Sequence, residues 1–358
     1  MKFVHMADMH FDAPFVALAN KEKFAEERRL EQRKAMKQIT EYIKDNEISY
    51  FFIAGDLYEN EYVKKSTIEY INNLFKQIPS TRIFITPGNH DPYINNSFYK
   101  QYNWNQNVYI FSSELEVIED ENVDIYGYGF NDFYMENKYP NINIKHKDKI
   151  NILITHGNLD AGNDEQKRYN SINSREMKNI GFDYIALGHI HKKSYNDYDN
   201  QRIVYPGSTV SLGFDELGER GVIVGDISKD NFKLDFLKIN SKSFEEKQID
   251  ITEINSQEEL IEFIDDMGLK EESFYKIILV GKRNFEIKLY EILYLIHKNN
   301  IIRIKDCTKA NYDINDVARQ INLKGLFAKS ILEKMSETEE KNEKLIKAFE
   351  IGMDILNK

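Results

Sequence analysis

Five short apolar runs punctuate the first two-thirds of the chain. Residues 2–7 (KFVHMA), 50–54 (YFFIA), 82–86 (RIFIT), 151–155 (NILIT) and 184–187 (YIAL) are rich in Ile, Phe and Val and are followed by Gly or Asp, the pattern of buried strands. Between the first two, residues 20–45 space Phe24, Ala35, Ile39, Tyr42 and Ile43 near one helical face. Strand–helix–strand alternation predicts a layered α/β domain. Further strands are expected at 203–206, 221–227 and 232–239, the last two separated by a Lys-Asp-Asn turn at 229–231.

From about residue 245 the pattern changes to helix 256–267, strand 275–281, helix 285–298 and strand 301–305, a smaller α+β unit. Ser256, with Glu259 three residues on, has the spacing of a capping box. The segments 323–335 and 341–357 read as helices, with Leu323, Phe327 and Ile331 on one stripe and Leu345, Phe349, Met353 and Leu356 on the other. The domains are therefore set at 1–240, 241–310 and 311–358. No internal repeat or low-complexity linker interrupts them.

A chain of 358 residues can bury a large core without covalent staples. Its single cysteine, Cys307, excludes an internal disulfide and a thiolate zinc site, implies a reducing, cytoplasmic setting, and reads as a small buried apolar residue. The N-terminal run is broken by His5 and Asp8, and no apolar stretch reaches the roughly 18 residues of a membrane span, so a soluble protein without a membrane partner is expected. The net charge of −11 is spread along the chain. That excludes a bulk basic field that captures nucleic acid; binding DNA would require local Lys/Arg patches, metal ions or a partner. The 22 tyrosines and 22 phenylalanines could include a base-stacking platform, but without placement they count as core.

The chemistry sits where the five N-terminal strands stop. Asp8 and His10 follow the first, Gly55-Asp56 the second, Gly88-Asn89-His90-Asp91 the third, His156-Gly157 the fourth and Gly188-His189-Ile190-His191 the fifth. In α/β sheets, residues far apart in sequence converge at the carboxyl ends of strands. Carboxylates, an amide and imidazoles without sulfur suit Mn²⁺, Fe²⁺ or Zn²⁺ better than Ca²⁺ or Cu⁺. Seven such ligands exceed one tetrahedral ion and fit two ions about 3.5–4 Å apart, bridged by a carboxylate. A lone strand-end His or Asp is usually a turn residue; the ordered set DxH, GD, GNHD, H and GHxH has little chance of being accidental. His146 and His297 fall outside it and read as surface or packing residues, and His5 as a brace for the site.

These segments resemble the five signature motifs of the calcineurin-like metallophosphoesterases over roughly residues 1–240. The resemblance implies a four-layer α/β domain, a β-sandwich flanked by helices, followed by an α+β capping domain and C-terminal helices. It implies that Asp8, His10 and His191 hold one metal, Asn89, His156 and His189 the other, and that Asp56 bridges them. His90 would stand beside the scissile phosphate as a charge stabiliser or acid. Many members read GDxxD where this chain has Glu59, which leaves Asp91 as a second candidate to orient His90 and as a catalytic residue.

The opening HMADMHFDAPF is similar to the YhaO branch, and FDYIALGHIHK and YPGSTVSLGFDELGERGVIV resemble bacterial SbcD exonucleases. That narrower resemblance implies a DNA nuclease with two divalent ions, Mn²⁺ foremost. It also implies C-terminal helices that dock on a coiled-coil ABC-type ATPase of the SbcC or YhaN kind, which would leave the stripe Leu345, Phe349 and Met353 exposed for the partner, and leaves a homodimer open. Two other readings stand beside it: a phosphomonoesterase or small-nucleotide phosphodiesterase, and a non-catalytic scaffold of an ATPase complex.

Overall fold

All five apolar runs become strands, because each has the length and the apolar side chains to be covered on both faces. In a computed structural model, every residue but 16–21, 137–141, 163, 195–201, 338–341 and 357–358 is described. Two units separate, Met1–Phe244 and Glu245–Lys358. The first runs β1 (Lys2–Met6), α1 (Glu22–Asp45), β2 (Tyr50–Ala54), α2 (Lys65–Phe75), β3 (Arg82–Thr86), α3 (Phe98–Gln101), β4 (Val108–Ile110), β5 (Glu116–Glu119) and β6 (Val123–Gly127). It continues through β7 (Ile150–His156), α4 (Asp164–Lys167), α5 (Ser174–Ile180), β8 (Tyr184–Gly188), β9 (Ile203–Val204), β10 (Gly221–Ile227) and β11 (Phe232–Lys238).

These strands build two sheets, ordered β11-β10-β1-β2-β3-β4 and β5-β6-β7-β8-β9. The neighbours β1, β2, β3 and β4 are parallel, as are β6, β7, β8 and β9, so the chemistry-bearing ends of each sheet point one way. Phe3, Phe52 and Phe84 of one sheet and Ile125, Ile152, Ile154 and Tyr184 of the other form the core between them. Burying a side chain of this size contributes about 1.5–3 kcal/mol, and the polar His5 enters the shared face with its Nδ1 met by Tyr184 Oη. On the outer face of the first sheet lie α1 and α2, through Ala35, Met36, Ile39, Ile43, Ile68 and Ile71; on that of the second, Met177 of α5 packs with Leu153 and Ile185. Helix, sheet, sheet and helix are the four layers expected.

The second unit takes in β12 (Ser243–Asp250) from Glu245 on, and holds α6 (Gln257–Asp266), β13 (Ser273–Val280), β14 (Lys282–Arg283), α7 (Leu289–Leu295), β15 (Ile301–Asp306), β16 (Lys309–Ala310), α8 (Ile314–Ala318), α9 (Leu323–Glu337) and α10 (Asn342–Leu356). Its three-stranded sheet, β12-β13-β15, shares a core with α6 and α7. Ser256 caps α6 by accepting from the Glu259 amide at 3.1 Å, while Glu259 accepts from the Asn255 amide at 2.8 Å. The predicted helix 341–357 appears as α10; its ends at 341 and 357 lie outside the described residues.

Two expectations about this unit are corrected. Phe349 and Met353 are each only 2% exposed and Leu345 packs beside them, because this stripe forms a local core with Phe327, Ala328 and Ile331 of α9. On α9 and α10 the large apolar side chains left in solvent are instead Leu323, Leu326, Ile346, Ile351 and Ile355. Cys307 is exposed, one residue beyond β15, where its amide donates to Leu279 O at 2.8 Å. Among the described residues, no helix is long and apolar enough to cross a membrane.

Candidate metal centre

The ends of β1, β2 and β8 leave the two sheets through turns that put non-glycine residues in the left-handed region. Asp8 has φ 50°, His10 48°, Asp56 52° and His189 102°. Such backbones cost of order 1–3 kcal/mol each and persist only when neighbours fix them. Here the fixing bonds join the turns to one another. Asp8 N–H donates to Gly55 O at 3.2 Å and His10 N–H to Asp56 O at 2.9 Å. The His90 amide donates to Asp56 Oδ1 at 2.8 Å and the His189 amide to Asp8 Oδ1 at 2.9 Å. Gly55, at φ +83°, leaves the space that the His156 ring fills, and Gly88 the space that the Asp56 carboxylate fills; a Cβ at either position would overlap it.

All seven predicted metal ligands come together. Asp8, His10, Asp56 and His191 each place a ligand atom within 4.8 Å of the others, Asp56, His156 and His189 do the same, and Asp56 belongs to both groups. Asn89 Oδ1 joins the second group, 3.0 Å from His156 Nε2 and 3.0 Å from His189 Nδ1.

Hydrogen-bond bookkeeping shows that the donors fit cations. His156 Nδ1 donates to Ala54 O at 2.9 Å, so in the neutral ring Nε2 is an acceptor, facing two more acceptors: Asn89 Oδ1 and, at 3.3 Å, Asp56 Oδ2. His10 Nδ1 is tied to Glu59 Oε1 at 2.8 Å and His191 Nδ1 to Glu216 Oε1 at 2.5 Å, which turns their two Nε2 atoms toward each other at 3.1 Å. Lone pairs facing lone pairs in a buried site are costly unless protons or cations lie between them. The electrostatics agree. Burial would raise the Asp56 carboxyl, yet the His156 and His90 imidazoles hold it well below the usual range. His156 and His191, which burial alone would lower, are raised to about 9, the first chiefly by Asp56 and the second by Glu216 and Asp8. The pocket demands positive charge, and bound divalent ions meet that demand without protons.

His90 stands apart from the ligands, at the mouth. Its Nδ1 meets Glu59 Oε2 at 2.9 Å, so Glu59 spans His10 and His90 with its two oxygens. Burial would raise the Glu59 carboxyl, but these two imidazoles pull it down to about 2. Glu59 thus stands where many members of the resembled family have aspartate. Asp91 is placed otherwise than expected: fully buried, it accepts from the amides of Asp56, Leu57 and Gly88 and from Tyr99 Oη, at 2.6–3.1 Å. Its oxygens are taken up in shaping the two turns, and it does not orient His90. His5 braces the sheets rather than the site, its Nδ1 meeting Tyr184 Oη at 2.8 Å.

Sequence reasoning missed three supports. Glu216, which holds His191, also accepts from Ser208 Oγ and the Leu212 amide; Arg220 donates to His191 O at 2.5 Å; and Asn170 donates to His156 O at 2.8 Å. Glu216 and Arg220 both lie in the segment YPGSTVSLGFDELGER, whose wording carried the signal without assigning the roles.

The family model for calcineurin-like phosphoesterases matches residues 1–193. An uncharacterized metallophosphoesterase, YhaO of Bacillus subtilis (strain 168), is 24% identical over 279 residues, covering 74% of this chain and 67% of its own length. The SbcD subunit of the nuclease SbcCD from Staphylococcus epidermidis (strain ATCC 12228 / FDA PCI 1200) is 26% identical over 265 residues, covering 63% and 66%. The chain thus spans about two thirds of the length of these relatives. A solved structure described as a novel archaeal phosphodiesterase is 16% identical, with a TM-score of 0.35, covering 66% of this chain and 100% of its own. With its first 193 residues matched and the strand-end ligands of that family converging in space, the chain belongs to the calcineurin-like phosphoesterases.

Proposed function

We propose that this chain is a DNA nuclease that uses two divalent cations, Mn²⁺ foremost, to hydrolyse phosphodiester bonds. The carrying observation is the convergence of seven nitrogen and oxygen donors in two groups that share Asp56. In this reading Asp8, His10 and His191 hold one ion, Asn89, His156 and His189 the other, and Asp56 bridges. Such ions supply a lowered pKa for water and neutralise charge developing on phosphoryl oxygens. The residues do the rest. Glu59 fixes the His90 ring through Nδ1, which leaves Nε2 to face the phosphate and to give a proton to the departing oxygen. Burial would lower the His90 pKa, whereas the carboxylates of Asp56 and Glu59 raise it; Glu59, which holds no ion in this reading, favours the protonated ring that gives that proton. Glu216 and Asn170 keep His191 and His156 in place, as buried hydrogen bonds to ligating imidazoles do.

DNA as substrate is supported by the likeness to a protein named as part of a nuclease. The same likeness supports a coiled-coil ATPase as partner, bound through α9 and α10; because their Phe349 stripe is internal, the surface offered would be Leu323, Leu326, Ile346, Ile351 and Ile355. Comparative turnover tests the substrate. With Mn²⁺, a single-stranded oligonucleotide should be cut with a higher kcat/KM than nitrophenyl phosphate or a cyclic nucleotide; a preference for either small ester would refute the nuclease reading. A chain ending near residue 320 should keep the metal centre and fail to co-purify with the ATPase, and retained co-purification would remove α9 and α10 from the docking role.

A further inference from the structure

A cavity of about 420 Å³ opens beside the ligand cluster, with Asn89 and His90 in its wall. Tyr62, Phe133, Tyr134 and Tyr169 supply half of the rest. Three of these residues are exposed, Tyr134 by 58%, Tyr62 by 52% and Phe133 by 37%. They are also ordered in series with the site. Tyr169 stacks on His189 with centroids 5.0 Å apart and planes at 28°, and Tyr134 leans on Tyr169 at 5.6 Å.

Exposed aromatic rings gathered at the edge of a reactive site mark a surface that a flat ligand covers. The charge narrows the ligand. No lysine or arginine lines the cavity among the described residues, whereas Glu59 and Glu61 do, so it does not suit a second phosphate. An uncharged planar group does, and the cavity lies within the range that encloses such ligands, roughly 300–1,000 Å³.

We propose that this cavity is a nucleobase subsite, in which Tyr62 and Tyr134 stack on the base next to the scissile phosphate. Paired bases already stack within a duplex and cannot enter, so the subsite selects unpaired nucleotides. Every base has a π-face, so selection is for an unpaired base rather than for a sequence. The inference rests on the phosphodiesterase reading for the position of the phosphate, and its test separates the two.

Two short single strands would be compared with Mn²⁺, one complete and one carrying an abasic sugar beside the scissile phosphate. Wild type should show a KM roughly ten-fold lower for the complete strand, and Tyr62→Ala/Tyr134→Ala should collapse that ratio toward one. Equal KM values in wild type, or a ratio unchanged in the variant, would overturn the subsite. Failure to cut either strand would count against the phosphodiesterase reading instead. The subsite is then decided without turnover, by the fluorescence of 2-aminopurine in a strand titrated with the full chain in chelator. Quenching by wild type that the double variant lacks supports stacking; no quenching, or equal quenching by both, overturns it.

Discussion

Two buried acidic clusters stand at opposite ends of the two sheets, one where β6 and β7 begin and one where β1 and β2 finish. At the starting end of β6 and β7, Asp124 is fully buried, meeting His146 Nδ1 at 2.6 Å and Lys149 Nζ at 3.2 Å. Asn151 donates to the carbonyls of His146 and Lys149 that frame them. At the finishing end, Asp8 and Asp56 have no lysine or arginine paired with them among the described residues, only imidazoles and amides. A carboxylate closed by its own chain's cation is a finished piece of structure. Carboxylates set among acceptors whose own donors point elsewhere are finished only by something that binds. Burial and acidity are common to both ends; the balance of donors and acceptors separates them. Backbone strain follows the same line: Asp8, His10, Asp56 and His189 adopt positive φ, and Asp124, inside a strand, does not.

The largest expected effect is at Asp56, the residue shared by both ligand groups. Asp56→Asn should lower phosphodiester turnover by about 10³-fold or more, read by steady-state kinetics at saturating metal. Next comes His90→Asn, which should slow cleavage by about 10²-fold while leaving metal content and DNA affinity near wild type. Normal turnover would make His90 a bystander. At the other end, Asp124→Asn should leave turnover intact and cost about 1–3 kcal/mol of stability by chemical denaturation, as expected for charged hydrogen bonds lost from a buried acceptor. Lost turnover there would erase the distinction between the ends.

The smallest effect is a pH dependence. Burial pushes the His5 imidazole down to about 3 from an unfolded value of 6.5. Above 6.5 the ring is neutral in both states and contributes nothing. As pH falls below 6.5 the unfolded chain takes up a proton that the folded chain refuses, so stability is lost progressively toward pH 3. By pH 5 the loss is about 2 kcal/mol, and His5→Gln, which cannot charge, should show a shallower decline by that much.

The strands that carry the site were legible because β1, β2, β3, β7 and β8 are covered on both faces and therefore read as short, mainly apolar runs. Strands β5 and β6 were not, since EVIE and VDIYG carry charges, and the fully buried Asp124 is tolerated only because Lys149 and His146 come to meet it. The residues that converge could be read from their order along the chain, whereas Asp91 could not be placed, because whether a carboxylate faces the cavity or the backbone amides behind it depends on the path of two turns. The α10 stripe was seen correctly as a stripe. Periodicity says which residues share a face and not what covers that face, so Phe349 and Met353 were assigned to a partner when α9 already covered them.

The central claim is that an excess of acceptors at one end of the sheets is a place for two cations. Elemental analysis of the folded protein after saturation with Mn²⁺ and removal of free metal tests it most directly. Wild type and Asp124→Asn should each retain two ions per chain, and Asp56→Asn at most one, with native circular dichroism in all three. Two ions retained by Asp56→Asn, or fewer than two in both wild type and Asp124→Asn, would contradict it.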